Sequence, residues 1–197
     1  MKSIMLSIRP RWCEKIASGE KTIEVRKSAP KEVPFKAYIY ATRPKKFYKC
    51  GAVSTSDELL WLANSKVEMG DGFKFWADGD EYQCLNGRII GEFICNEVEE
   101  FHEWELSPQG KFADFERERL EKFLTDACLS EEEVVRYREN LPYYKPLYGW
   151  HISDLKIYGK PKKLSEFISS KPKNKFRAHG DNLTRPPQSW IYVEEQK

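Results

Sequence analysis

The first 26 residues switch twice between strand and helix periodicity, and this constrains the fold more than any other feature of the sequence. Residues 3–9 alternate between apolar and polar side chains, which is typical of a half-buried strand. Pro10 suits the first turn of a helix, and Gly19 suits the position just after its last turn. Residues 21–26 then return to strand alternation. The chain is therefore predicted to begin strand–helix–strand.

The later elements are separated by long excursions rather than by the short turns of consecutive hairpins. In chain order the patterns predict a strand at 35–41, a strand at 88–95, helices at 111–124 and 130–140, and strands at 148–158 and 190–193. The second of these helices begins with a capping box at Ser130–Glu133, and a shift in the alternation of apolar residues predicts a bulge or turn at Ser153–Asp154 within the strand at 148–158. About six strands with inserted and flanking helices predict an α+β fold, built as a small mixed β-barrel.

Residues 51–86 interrupt this pattern. Gly, Asp, Asn and Ser recur there and indicate turns, with a short helix predicted at 59–64 and a hairpin near 73–76. We therefore predict a single domain over residues 1–197 with an insertion at 51–86.

Composition excludes several classes of protein. No stretch approaches the ~20 apolar residues of a membrane helix, and the N-terminus lacks a small-residue cleavage site, which predicts a cytoplasmic protein without membrane attachment. The five cysteines are odd in number and contain no Cys-x-x-Cys pair. This argues against a disulfide framework and a structural zinc site, and we predict no metal and no cofactor.

Charge is distributed unevenly along the chain. Residues 1–50 hold 13 Lys/Arg and 4 Asp/Glu, residues 51–150 hold 10 and 22, and residues 151–197 hold 10 and 5. If the two basic ends share one sheet or barrel, their charges combine into a basic face that suits a polyanion. The alternative is that the lysines only solvate loops.

The densest group of candidate functional residues lies where the first helix meets the second strand. Lys21, Glu24 and Arg26 combine a point charge, a carboxylate and a planar guanidinium within six residues. Such a set can bind phosphate or base edges, and a carboxylate beside an amine can also transfer protons. The alternative is an ordinary exposed ion pair on a strand.

The motif Gly19-x-Lys21-x-x-Glu24-x-Arg26 resembles the signature of the ASCH (activating signal cointegrator homology) domain, a branch of the PUA-like superfamily. The segments Leu-Ser-Ile-Arg-Pro-x-Trp at 6–12, Gly-Trp-His-Ile-Ser-Asp-Leu at 149–155 and Arg-Pro-Pro-Gln-Ser-Trp at 185–190 look like a subgroup from Gram-positive bacteria and their phages. The resemblance extends over residues 1–48, 87–100 and 128–197. It implies a β-barrel with a cleft lined by Lys21, Glu24 and Arg26, and binding of RNA or a modified nucleoside.

Some members of this family hydrolyse the amide of acetylated cytidine, and others are described as ribonucleases. In the amidohydrolase branch a threonine stands at the position of Glu24, so a hydroxyl role there is lost, and Thr22 is a speculative substitute. A later carboxylate of that branch has Asp126 and Glu99 as candidate counterparts.

Further candidates lie outside the signature, and each has a structural alternative. Arg9 follows the first strand, and Arg185 precedes two prolines that stiffen its backbone. Trp12 suits either base stacking or the core, and His151 suits either a ligand contact or a structural hydrogen bond. The full set of predicted ligand- or RNA-binding residues is Arg9, Trp12, Lys21, Glu24, Arg26, His151 and Arg185.

We therefore expect this chain to bind RNA or a nucleotide-type small molecule in a basic cleft beside the signature. The alternative is an amidohydrolase or ribonuclease acting on modified nucleosides or RNA, with Lys21 and Glu24 as its catalytic residues. A third hypothesis is an interaction module that docks a basic partner through acidic residues 92–133. Replacement of the threonine by Glu24 favours binding over catalysis.

Overall fold

The computed structural model of the chain describes residues 1–43, 61–63, 74–77, 80–102, 113–170 and 181–196. Its elements in chain order are β1 (Lys2–Ile8), α1 (Pro10–Ser18), β2 (Ile23–Arg26), β3 (Phe35–Ala41), β4 (Trp61–Ala63), β5 (Lys74–Ala77), β6 (Asp80–Cys84), β7 (Ile89–Cys95), β8 (Val98–Phe101), α2 (Ala113–Ala127), α3 (Glu131–Arg138), β9 (Leu147–His151), β10 (Ser153–Lys162), a 3-10 turn (Leu164–Glu166), β11 (Phe167–Ser169) and β12 (Trp190–Glu195).

Six strands form the main sheet, in the order β10-β7-β3-β1-β12-β11. The strand β1 is parallel to β3 and antiparallel to β12, so the two basic ends of the chain are neighbours in one sheet. This is the arrangement under which their charges can combine into one basic face. Ile4 and Leu6 share a core cluster with residues of α1, while Met5 belongs to the cluster on the opposite face. The prediction of a half-buried first strand is therefore wrong, because β1 is central and covered on both faces.

The predicted α+β class is confirmed. The predicted barrel is not what the ladders form, because the described strands pair into open sheets and no ladder joins the edge strands β10 and β11. One residue, Ile152, separates β9 from β10, so the chain passes directly from the second sheet into the main sheet. The predicted irregularity at Ser153–Asp154 is confirmed by a register shift after Ser153 and by a left-handed Asp154 (φ 48°).

The second sheet has the order β2-β9-β8 and positions the candidate site. In its register Ile23 lies opposite His151, and Glu24 lies opposite Trp150. Ile23 joins a third core cluster with residues of α2 and α3, while Trp150 joins the cluster that contains residues of α1. The two faces of this sheet therefore contact different parts of the molecule.

A small third sheet, in the order β4-β6-β5, lies within the predicted insertion. The hairpin predicted near 73–76 is confirmed by the pairing of β5 with β6. The helix predicted at 59–64 is wrong for the described residues 61–63, which form β4 and pair with β6. A strand partner elsewhere in the chain decides this conformation, and a short apolar run does not reveal such a partner.

The helices begin and end where the sequence indicates. Gly19 follows α1 with φ 84°, a left-handed conformation that suits glycine, and its N–H donates to the Ile16 carbonyl. Ser130 precedes α3 in a complete capping box with Glu133. Among the described helices, none is long and apolar enough to cross a membrane.

Candidate functional site

A cavity of about 600 Å³ opens between four parts of the chain: the end of β1 with the start of α1, the strand β2, the helix α3, and residues 186–189. The segment at 186–189 is fastened to β1 because the Ser7 hydroxyl donates to the Pro187 carbonyl at 2.7 Å and the Ser7 N–H donates to the Ser189 carbonyl at 2.9 Å. The cavity thus joins residues from both ends of the sequence with one helix from its middle.

Local structure brings the signature into this cavity. After the glycine that ends α1, the Lys21 N–H donates to the Lys15 carbonyl, so the chain turns back before β2 begins. Side chains alternate along β2, so Glu24 and Arg26 face the cavity while Ile23 and Val25 join the core cluster of α2 and α3. The spacing of the signature therefore follows from strand geometry.

Glu24 lies at the centre of a buried ion cluster. Its Oε1 is 2.8 Å from Arg26 Nη2, and its Oε2 is 3.6 Å from Lys21 Nζ. The Lys21, Glu24 and Arg26 side chains are only 2%, 6% and 10% exposed. The alternative of an ordinary exposed ion pair is therefore wrong. The Glu24 carboxylate therefore holds two cations in place.

Lys21 is held away from water by contacts on several sides. Its Nζ donates to the Ala127 carbonyl at 2.6 Å and lies 5.1 Å from the centre of the Trp12 ring. Burial lowers the pKa of the Lys21 amine from its usual 10.5, and the charge of Glu24 opposes this shift. The amine is therefore easier to deprotonate than a surface lysine, as proton transfer requires.

Arg26 lines the cavity and has one donor without an acceptor among the described residues. Its Nη2 donates to the Ser7 carbonyl at 2.7 Å in addition to its contact with Glu24. Its Nε is buried, and among the described residues it has no hydrogen-bond partner. A buried donor without an acceptor is costly, so a ligand oxygen or ring nitrogen that accepts from Nε gains the missing bond.

The rim of the cavity carries further cations and two aromatic rings. Arg9 and Arg136 are exposed and form no ion pair with any described residue, whereas Arg11 pairs with Glu133 at 2.8 Å. The rings belong to Trp12, which is half-buried, and Tyr137, which is partly exposed. Burial raises the pKa of the Tyr137 hydroxyl above its usual 10.0, so this side chain is neutral at physiological pH.

Sequence reasoning missed the contribution of α3. Glu133, Arg136 and Tyr137 line the cavity at spacings of three and four residues, which places them on one helix face. The capping box located this helix, and the charged and aromatic side chains at i, i+3 and i+4 were the available signal. Arg11 was missed as well, although it lies only two residues after the end of the predicted first strand.

Of the four predicted binding residues outside the signature, two line the cavity and two do not. Arg9 and Trp12 line the cavity together with the signature. His151 lies on the opposite face of the second sheet, with its Nε2 3.2 Å from Glu99 Oε1, and does not line the cavity. Arg185 is exposed and precedes the lining segment without joining it.

The candidate carboxylates of the hydrolase alternative also lie outside the cavity. Asp126 is paired with Lys122 at 2.5 Å, and Glu99 is paired with His151. Thr22 is exposed and does not line the cavity. Within the described ranges, no group of three or more His, Cys, Asp or Glu side chains is arranged to hold a metal ion.

The fold is similar to that of a known protein. A crystal structure of ASCH from Zymomonas mobilis superposes with a TM-score of 0.52 at 18% sequence identity, covering 98% of this chain and 88% of that one. Structures of two variants of the Zymomonas protein give a TM-score of 0.48, also at 18% identity, and cover 98% of this chain and 91% and 89% of theirs. No protein-family model and no curated protein matches the sequence. The likeness shows an ASCH-type fold, and the subgroup from Gram-positive bacteria and phages stays a prediction.

Proposed function

We propose that this chain, which shares its fold with an ASCH structure, binds RNA or a nucleotide-type ligand in the cavity between β2 and α3. The observation that carries the proposal is the convergence on one cavity of two aromatic rings, a buried Arg26 donor and two rim arginines that form no ion pair with any described residue. A cavity of about 600 Å³ lies within the usual range for small-ligand sites.

The charges of the cavity favour an anion. Two carboxylates line it, and both are engaged: Glu24 by Lys21 and Arg26, and Glu133 by Arg11. Among the lining cations this leaves Arg9 and Arg136 available for phosphate oxygens. Arginine suits that role because its planar guanidinium can donate two parallel hydrogen bonds.

The aromatic rings favour a planar group beside the phosphate. Trp12 and Tyr137 lie on different elements that border the same cavity. Unpaired bases bind proteins by stacking on such rings and by hydrogen bonds at their edges. In this arrangement the base contacts Trp12 or Tyr137, an acceptor on the ligand receives the Arg26 Nε–H, and the phosphate meets the rim.

Titration with uridine 5′-monophosphate and with a short oligouridylate tests the proposal. Replacing Arg136 or Arg9 by Gln should weaken binding about tenfold, the loss expected when one charged hydrogen bond is removed. Arg117→Gln is the matched control, because it changes an exposed helical arginine that does not line the cavity. Equal affinities for all three variants and the unchanged protein would contradict the proposal.

A second candidate function is hydrolysis, favoured by the lowered pKa of Lys21 beside Glu24. In this mechanism the neutral Lys21 amine accepts a proton from water while the water oxygen adds to the amide carbon of an acylated nucleoside. Lys21 then returns that proton to the amide nitrogen as the C–N bond breaks, and the products are the free nucleoside amine and a carboxylic acid.

Release of acetate from acetylated cytidine measures this activity directly. Lys21→Arg keeps the positive charge and removes the titratable amine, so it should abolish turnover while preserving binding. If the unchanged protein releases no acetate and cleaves no RNA, the hydrolase alternative is wrong and binding remains.

A further inference from the structure

Exposed aromatic side chains are concentrated in one short segment. Among the described residues, three aromatic side chains are exposed, namely Tyr137, Tyr143 and Tyr144, with exposures of 38%, 63% and 71%. The last two lie in the turn that follows α3. Two adjacent tyrosines that are mostly in water contribute little to the core, so their position calls for another explanation.

A buried arginine fixes the backbone of the turn that carries these tyrosines. Arg138 is 5% exposed, and its guanidinium donates to the carbonyls of Pro142, Tyr143 and Lys145 at 3.2, 2.8 and 2.7 Å. Within the turn the Lys145 N–H donates to the Pro142 carbonyl at 2.9 Å. The backbone beneath the two rings is thus already ordered, which lowers the entropy lost when they bind a partner.

The turn continues one wall of the cavity. Arg136 and Tyr137 line the cavity, and Arg138, the next residue, holds the turn. Lys27 follows Arg26 and links the same two elements, because its Nζ donates to the Glu139 carbonyl at 3.0 Å and lies 5.2 Å from the centre of the Tyr137 ring. The turn that carries Tyr143 and Tyr144, the tyrosine turn, therefore follows directly on the helix whose residues line the cavity.

The charges along this path suit a polyanion. Lys27, Arg136 and Lys145 are exposed. The sequence of residues 136–145 contains a single acidic residue, Glu139. Two adjacent rings between cations are the combination that binds single-stranded nucleic acid, because bases stack on the rings while cations meet the phosphates.

We infer that Tyr143 and Tyr144 form a stacking platform for unpaired bases of a single-stranded RNA whose neighbouring nucleotide occupies the cavity. This inference rests on the proposed function and narrows it, because the ligand is then a strand rather than a free nucleotide. Stacking tolerates any base, so the platform adds affinity without sequence preference.

The test compares one nucleotide with a strand. Uridine 5′-monophosphate reports on the cavity alone, and an oligouridylate of eight nucleotides reports on the cavity and the platform. The double variant Tyr143→Ala/Tyr144→Ala should bind the octamer about 10- to 100-fold more weakly and the monophosphate unchanged, as expected for the loss of base stacking. The matched control Tyr143→Phe/Tyr144→Phe keeps the rings and should retain octamer binding.

The outcomes separate this inference from the proposed function. Octamer binding that does not change in the alanine variant overturns the platform and leaves the cavity proposal intact. If neither probe binds the unchanged protein, both proposals fail. If the alanine substitutions instead convert a dimer to a monomer in sedimentation without affecting RNA, the turn is a self-association surface and the platform is overturned.

Discussion

The second sheet carries a charged cluster on each of its faces, and the two clusters differ in burial. Lys21, Glu24 and Arg26 face the cavity with at most 10% of each side chain exposed. On the opposite face Glu99 contacts His151 at 3.2 Å and Arg119 at 3.8 Å, and these side chains are 21%, 37% and 39% exposed. The same strands therefore support a buried cluster and a partly solvated one.

This difference in burial indicates which charged side chains the fold needs for stability and which are available to bind a ligand. A buried ion that loses its partner keeps the full cost of leaving water, whereas a partly exposed ion recovers hydration. The buried cluster therefore stabilises the wall of the cavity, and its two cations contact its one carboxylate. We expect an anion to bind instead to the rim arginines Arg9 and Arg136 and to Arg26 Nε, which has no hydrogen-bond partner among the described residues.

The largest expected effect comes from removing the carboxylate of the buried cluster. Glu24→Ala leaves Lys21 and Arg26 as buried cations without a counterion, so the free energy of unfolding should fall by about 3–5 kcal/mol. Chemical denaturation measures the change. Glu99→Ala is the matched substitution on the other face and should cost about 1 kcal/mol or less. Similar losses in the two variants would remove the distinction between the faces.

The second prediction separates binding from stability within the buried cluster. Arg26→Lys keeps a positive charge beside Glu24 but removes the Nε donor and the contact of Nη2 with the Ser7 carbonyl. We expect the affinity for uridine monophosphate to fall about tenfold, which corresponds to about 1.4 kcal/mol. His151→Gln, on the other face, should leave that affinity unchanged. A loss of affinity in the His151 variant would show that both faces serve one site.

The element order of this fold was largely predictable, but burial was not. The strand–helix–strand opening, the capping box of α3 and the bulge after Ser153 are local features, so local patterns located them. The burial of the Lys21 amine involves the Ala127 carbonyl at the end of α2, which is distant in sequence. A strand pattern alone cannot show which polar side chains a distant segment covers.

The candidate site was only partly predictable, because local patterns show some of its residues and tertiary packing brings in the others. The signature supplied Lys21, Glu24 and Arg26, and Arg9 and Trp12 lie near the same strand–helix junction, so local patterns in residues 9–26 pointed to all five. The α3 residues enter through tertiary packing. His151 fell on the wrong face because the one-residue alternation along β9 sends Trp150 toward the cluster of α1 and its neighbour to the other face.

The third prediction concerns pH. Burial raises the pKa of the Glu99 carboxyl above its usual 4.5, and the charges of His151 and Arg119 oppose the shift. Between 4.5 and the raised value the folded state binds more protons than the unfolded chain, so this carboxyl lowers stability as pH rises through that interval. Glu99→Gln should therefore become more stable relative to the unchanged protein between pH 4 and pH 7. Denaturation at several pH values measures the difference, with Glu118→Gln as an exposed control. A constant difference would contradict the prediction.

The smallest expected effect is in the salt dependence of RNA binding. If all four sequence-predicted cations, Arg9, Lys21, Arg26 and Arg185, met phosphates, the slope of log K against log salt would be near −2.8, at about −0.7 for each contact. In the structure two of them, Lys21 and Arg26, are buried in ion pairs with Glu24, and Arg185 lies outside the cavity, which leaves Arg9 and adds Arg136.

The cavity alone should therefore give the short oligouridylate a slope near −1.4, and contacts from Lys27 and Lys145 at the tyrosine turn would steepen it toward −2.8. Substitution distinguishes these sources more sharply than the total slope does. Arg9→Gln and Arg136→Gln should each make the slope shallower by about 0.7, whereas Arg119→Gln, on the face of Glu99, should leave it unchanged. A slope that responds to Arg119 but not to Arg136 would move the phosphate path to the partly solvated cluster. The buried cluster would then be a structural element of the cavity wall and not part of a binding site.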